Sequence, residues 1–534
     1  MKKRYDIIII GAGHNGLTAA AYLAKAGKSV LVLEKREVIG GAAATEEIWP
    51  GFQVNTGAED AGMFQDSIVK ELFLKMHGLE FRQSDVAIFA PQVDGSFDKL
   101  RTGRALALYQ DSAKSQESIA AFSERDAERY PAFVQQVNGF TAVLRDMLLH
   151  TPPDLGSLNL GELAGWGGMA LKLRRSGGTA MMEFMRVLPM PARDYLDEWF
   201  ESDALKGALG VDAITGTMQG PWSAGTTLQF FYQHINGFLN RRTAVGGIGA
   251  LSAALASAAR QNGAEIRLGA GVAKIQIDNG KAIAVLLENG DQIPANVILS
   301  SASPRHTFFE FVGAQEFEPR FVRPARNIIY RGSTAKLILA LDELPQFVGQ
   351  TDQEQLHGRI RISPSLAYIE KAYDAAKHGR FSPNPVLDMS IPTLADPTLA
   401  PAGKHILSIT VRYTPYHLSE SSWQNEREGL VTTVLNTLTP LLTSTPLPLR
   451  SSAPPLLLTP ADYAHTYSLP EGSIFHGQMG LDQLLVMRPV AGWSQYRTPI
   501  ENLYLCGAGA HPGGGVTGAP GANAAQALLN VRPR

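Results

Sequence analysis

Cysteine is nearly absent: Cys506 stands alone among 534 residues. A lone cysteine excludes an internal disulfide, a Cys-rich metal site and a Cys-pair redox centre. Charge is scarce too. Charged residues make up 18 % of the chain, below the ~25 % of ordinary soluble domains, which implies much apolar surface that is buried or faces a ligand. Neither sign dominates, and the formal net charge of −2 lacks the basic excess that nucleic acid requires. No apolar run approaches the ~18 to 20 residues of a membrane span. "MKKRYDIIII" starts like a secretory signal, but Asp6 interrupts it and glycine follows the isoleucines. The expectation is a protein of a reducing compartment, the cytoplasm. G-x-S-x-G and H-E-x-x-H do not occur and the histidines are scattered, so no nucleophilic or metal site is expected.

Glycine is what the chain has in quantity, and its placement carries information. "YDIIIIGAGHNGLTAAAYLAKAGKSVLVLEK" reads as strand (5–10), tight turn, helix (17–26, with Gly27 at its end) and strand (29–33). Gly11, Gly13 and Gly16 form G-x-G-x-x-G between a strand and a helix, and Glu34 follows 23 positions after the first glycine. In that setting Gly11 makes the turn, Gly13 lets a pyrophosphate approach the backbone and Gly16 lets helix and strand pack closely. The helix N-terminus offers free N–H groups to phosphate. Glu34 accepts from ribose hydroxyls and repels a 2′-phosphate, which disfavours NADP. A second pair, Gly40-Gly41 in "REVIGGAAATEE", is either a plain turn or a second grip suited to the longer FAD.

Nucleotide-binding style returns twice. Residues 246–304 read as a helix over 248–261, a strand at 265–268, a hairpin with turns at Asn279-Gly280 and Asn289-Gly290, and an apolar strand at 295–300. The end of the chain, "NLYLCGAGAHPGGGVTGAPGANAAQALL", gives a strand at 503–506, a glycine loop and a helix from about 518. The fold class expected is α/β: a Rossmann-like FAD-binding domain assembled from 1–75, 241–305 and 481–534, with a mixed α/β substrate-binding domain from 76–240 and 306–480.

With these motifs, and "LADPTLAPAGKHILSI" at 394–409, the chain resembles the phytoene-desaturase-like FAD oxidoreductases, a group that includes carotene ketolases, carotenoid isomerases and retinol saturase. One departure is Ala42, where many desaturases carry an arginine. The resemblance implies FAD as cofactor, held by Gly11, Gly13, Gly16, Glu34, Gly40, Gly41, Val272, Gly507, Ala508, Gly515 and Val516. It implies that the closing glycine loop lies under the flavin ring and that the last helix stabilises negative charge on the reduced ring. It also implies hydride transfer to flavin N5 from an apolar, polyene-like substrate, with an electron acceptor that is oxygen, a quinone or NAD(P). Two other readings stay open: an amine-oxidase-like flavin oxidase, and an FAD-bearing interaction protein.

Polar candidates are few. His511 either meets ring and substrate or braces backbone. His476 and Asp482 either border the flavin or form a turn with a solvated acid, and Glu59 and Asp60 either border the site or form an exposed turn. A helix is expected from Ser123, whose S-x-x-D pattern with Asp126 signals a cap, through Tyr130, Phe133, Val137, Phe140 and Leu144. Met181, Met182, Met185 and Met190 suit an adaptable tunnel or an ordinary core. "WGGMALKLRR" (166–175) suits membrane contact or a solvated face.

Overall fold

Tyr5–Ile10 is a continuous apolar, largely β-branched strand because it is paired on both sides and covered on both faces. Val30–Leu33 lies parallel to it on one side and Gln292–Ser300 parallel on the other, with Ile8 and Ile9 fully buried. Glu265–Arg267 extends the sheet beyond Val30–Leu33, and Leu503–Leu505 extends it beyond Gln292–Ser300. Five parallel strands thus come from three separated stretches of chain. Gln292–Ser300 serves two partners along its length: its first residues pair antiparallel with Lys281–Leu287, and its last are part of the parallel sheet. The hairpin of Val272–Asp278 and Lys281–Leu287 turns at Asn279 and Gly280, both with positive φ, as a tight right-twisted hairpin requires. The computed structural model describes residues 4–93, 103–153, 177–443 and 453–529, together with 167, 171 and 451.

Helices His14–Lys25, Ile248–Gln261 and Ala519–Leu529 contribute to the same core as this sheet. The last helix lies so close to the first that a Cβ on Gly521 would sit 2.0 Å from the Asn15 carbonyl oxygen. Phe308, Val312, Phe317, Phe321 and Ala325 pack into this core too, so the first unit continues past residue 305.

Among the described residues a second, seven-stranded sheet runs Leu456–Leu458, Thr334–Leu341, His405–Arg412, Leu387–Ser390, Arg359–Ile362, Val86–Val93, Gly103–Tyr109. Its neighbours are antiparallel except for Arg359–Ile362 beside Val86–Val93. Helix Trp423–Leu438 packs into one core with it. A helical layer of Glu124–Leu148, Asp203–Ala213 and Thr226–Gln233 makes another, centred on Phe133, whose ring lies 4.8 Å from that of Phe200. Ser123 caps the long helix as expected, its side chain accepting from the Asp126 N–H at 3.1 Å. Met182 and Met185, on helix Gly178–Val187, are neither core nor tunnel: both are exposed, and Phe184 between them is the buried residue. Stretch 166–175 lies outside the described residues apart from Gly167 and Leu171. No helix among the described residues is long and apolar enough to cross a membrane.

Candidate active site

The three glycines of the first loop do three different jobs. Gly11 has φ +94°, which L side chains rarely adopt. A Cβ on Gly16 would stand 2.2 Å from the Gly11 carbonyl oxygen, so this glycine permits the close packing of turn and helix. Gly13 is ordinary extended backbone (φ −67°), and a Cβ there would meet only the Gly40 carbonyl at 3.9 Å. Its missing side chain leaves space rather than relieving a clash. Gly40 donates its N–H to the Ala12 carbonyl at 2.8 Å, and a Cβ on Gly41 would lie 3.4 Å from Gly13 Cα. The glycine pair therefore presses the second loop onto the first.

Glu34 is buried at the end of its strand. Its Oε2 accepts from the Ala12 N–H at 2.7 Å and its Oε1 from the Arg36 N–H at 3.0 Å, which fixes the carboxylate. Arg36, which sequence reasoning missed, lies over the Tyr467 ring and donates to Glu46 at 2.7 Å. Its Nη1 is buried without an acceptor, as is the acceptor Oδ1 of Asn15 without a donor. Both residues line a cavity of about 700 Å³ that takes in Gly11, Gly13, Glu34, Gly40, Gly41 and Val272 and continues to Ala508, Gly515 and Val516. Gly16 and Gly507 stand behind this lining; a Cβ on Gly507 would sit 2.3 Å from the Ser301 carbonyl.

The closing glycines are needed for a reason that differs in part from the expected one. Gly514 lies against the Phe475 ring (2.1 Å from a built Cβ), Gly513 against Met479 Sδ (2.6 Å) and Gly518 against Phe64 (2.7 Å). These three make room for protein side chains; only Gly515 of the loop's glycines faces the cavity. His14 Nε2 meets the Gly515 carbonyl at 3.2 Å, joining the first glycine loop to the last.

His476 lies on the cavity lining with positive φ and Nδ1 unpartnered. Burial, reinforced by Arg488, His306 and His14, lowers its pKa to about 3, so the ring is neutral. His511 is corrected: it is fully buried and absent from the lining, near the Met147 and Leu148 carbonyls, with burial pushing its pKa down to about 3. It braces backbone. Asp482 is exposed and off the lining, a solvated acid. Glu59 and Asp60 do line the cavity, and Glu59 forms a buried ion pair with Lys336. Burial lowers the Lys336 pKa, opposed by Glu59. Arg488, another residue the sequence did not signal, is buried and donates to the carbonyls of Phe475 (2.6 Å), Gln483 (3.0 Å) and Ala508 (2.8 Å), binding loop 475–483 to the final strand's end.

An apolar chamber was the expectation for the substrate side. Apolar side chains are present around the glycine loop, in Met63, Ile474, Phe475 and Val516, but the wall contributed by the second sheet and helix Asp203–Ala213 is ionic. Asp212, Arg241, Arg359, Asp388 and Arg412 all line it. Arg361, fully buried behind, donates to Asp212 at 2.5 Å. Arg359 and Arg412 donate to Asp388 at 2.8 and 3.3 Å, and Arg241 to Asp212 at 2.7 Å. Burial alone would raise the Asp388 pKa, but Arg359, Arg361 and Arg412 together hold it well below the usual carboxylate range.

A βαβ glycine groove opening into a cavity floored by a second, largely antiparallel sheet is the architecture of a dinucleotide-binding site, and the unpaired Arg36 Nη1 and the open face of Gly13 fit a dinucleotide. The chain belongs to the flavin containing amine oxidoreductase family, whose model matches residues 16–529. The rat protein named pyridine nucleotide-disulfide oxidoreductase domain-containing protein 2 is 36 % identical over 550 residues, covering 99 % of this chain and 94 % of its own. A 4,4'-diapophytoene desaturase of Methylomonas sp is 23 % identical over 523 residues, covering 97 % and 93 %. A solved structure of a putrescine oxidase with redesigned cofactor binding superposes with TM-score 0.59 at 13 % identity, over 99 % of this chain and 98 % of that one, and shares the fold. The cofactor is FAD and the chain is an enzyme. The family shown is broader than the phytoene-desaturase-like group that the sequence resembles, and desaturases are among the relatives.

Proposed function

We propose that this enzyme dehydrogenates a substrate with an apolar body, Gly11, Gly13, Glu34, Gly40, Gly41 and Val272 holding the nucleotide and Ala508, Gly515 and Val516 bordering the flavin. The observation that carries this reading is that one cavity is lined both by the glycine groove and by the apolar and ionic residues of the substrate side. FAD, when bound, supplies a two-electron hydride acceptor. The chain's own contribution is positioning. Met63, Ile474, Phe475 and Val516 give the substrate an apolar seat. His476 and His14, held neutral by burial, keep that seat free of added positive charge. Desaturation of a carbon–carbon bond is favoured by the Methylomonas relative's name; amine oxidation, by the family's.

The test is the visible spectrum of the purified protein before and after anaerobic addition of micellar phytoene and, separately, of small aliphatic amines. Bleaching of the flavin band by the polyene supports the reading. Bleaching by amines alone replaces it with amine oxidation, and absence of flavin after reconstitution removes it. Readmitting oxygen, a quinone or NAD(P)+ then identifies the electron acceptor.

A further inference from the structure

The ionic wall is unbalanced. Arg241, Arg359, Arg361 and Arg412 converge on Asp60, Asp212 and Asp388, leaving one positive charge over among the described residues. Lys336 and Glu59 cancel each other, and His234, against Asp212, is kept from protonating chiefly by its burial. Hydrogen-bonding capacity is lopsided in the same direction. Arg241 Nε, Arg412 Nε and Gln233 Nε2 are buried donors without acceptors, and all three residues line the cavity. The two central acids are already engaged: Asp388 serves three arginines and Asp212 two, while Asp60 Oδ1 accepts from the Gly62 N–H. A buried excess of charge and donors is costly unless a partner supplies the missing acceptor.

We infer that the substrate carries a carboxylate, which docks on the arginine wall through Arg241 and Arg412 while its apolar body lies on Met63, Ile474, Phe475 and Val516. One surplus positive charge matches a monoanion better than a phosphate dianion, and a guanidinium fork matches a carboxylate's two oxygens. This rests on the dehydrogenase reading for the location of the reacting carbon, but the anion site itself stands on the wall alone. It makes the substrate an amphipathic acid rather than a pure hydrocarbon.

The experiment is equilibrium titration of the flavin-loaded protein with decanoate, decanol and decylamine, followed by calorimetry and by perturbation of the flavin band. Decanoate is expected to bind at least about tenfold more tightly than decanol. Arg241→Gln, at the most exposed of these arginines, should erase that preference. Asp60→Asn removes a neighbouring negative charge at constant shape, and Asn can still accept from the Gly62 N–H as Asp60 does at 2.6 Å. It should tighten decanoate about three- to tenfold, an effect that a structural role cannot produce. Equal binding of decanoate and decanol, a preference for decylamine, or indifference to both substitutions overturns the inference. Arginine-dependent decanoate binding in a protein whose flavin no polyene acid reduces would support the anion site and refute the dehydrogenation, so the two failures are distinguishable.

Discussion

His14 Nε2 and the carbonyl oxygen of Gly515 lie 3.2 Å apart, although 501 positions separate them in the chain. His14 opens the first helix and Gly515 belongs to the closing loop, so this contact fastens the first glycine loop to the last at the edge of the cavity that both line. Burial lowers the His14 pKa to about 4, the Gly515 contact opposing it only in part, and the neutral ring donates through Nε2.

His14, His476 and His511 are all held below the usual 6.5, at about 4, 3 and 3, chiefly by burial. The folded values are depressed, so below pH 6.5 the unfolded chain binds protons that the folded chain refuses. Stability should therefore fall as pH drops from 6.5 toward 4, by up to about 1.4 kcal/mol per pH unit for each histidine. Urea midpoints of the apoprotein at constant salt between pH 7.5 and 5 would show this. His511→Asn should flatten the slope by about one proton, and a midpoint that stays level would contradict the argument.

Gly13→Ala and Gly16→Ala should separate cofactor binding from folding. The Gly13 methyl meets nothing in the protein closer than ordinary contact, so the apoprotein Tm should stay within about 2 °C of wild type while FAD affinity drops at least about tenfold. The Gly16 methyl strikes backbone and should cost about 2–3 kcal/mol or more. Equal loss of stability in both would show that Gly13 is only a structural turn.

Lys336→Met strands Glu59 in the interior and should destabilise by about 3–5 kcal/mol. The double change Lys336→Met with Glu59→Leu should recover at least about half of that, since removing both partners leaves no uncompensated charge. Denaturant midpoints of the three proteins decide it; a double variant worse than the single would mean that the pair's other hydrogen bonds dominate.

Arg488→Met removes donors from at least three buried carbonyls and should cost about 3–5 kcal/mol. Arg488→Lys, which keeps the charge but not the fork, should fall between the two. The reading is stability together with flavin dissociation rate, because loop 475–483 carries His476 to the cavity. A lysine variant as damaged as methionine would show that the reach of the fork, not its charge, is what matters.

Much of the first sheet was legible because each element is local. Alternation of apolar runs and glycine turns fixed residues 5–33, and the helix expected over 248–261 matches Ile248–Gln261. The second sheet was largely illegible. Its strands are drawn from 86 to 458, and Val86–Val93 pairs with Arg359–Ile362, more than 260 positions away. The ionic wall was hidden for the same reason: Asp212, Arg241, Arg359, Asp388 and Arg412 have no common spacing and converge only after folding. The choice between the two readings of His511 was not legible because it depends on Phe475 and Met479, distant in sequence, filling the space that Gly514 and Gly513 leave. Met182 and Met185 misled because methionine spacing does not say which face of a helix a neighbour covers.

Because Gln292–Ser300 is the strand between Tyr5–Ile10 and Leu503–Leu505, synthesis on the ribosome meets a delay. The Gly11–Gly16 turn is made long before one sheet partner of its strand, which follows some 280 residues later, and the glycine loop that meets it through His14 and Gly515 is made later still. Until then Ile7 to Ile10 form an apolar strand with an open edge, the kind of surface that aggregates. The parallel sheet is therefore completed only when Gln292–Ser300 docks beside Tyr5–Ile10, and variants that slow that docking should lower the folding yield.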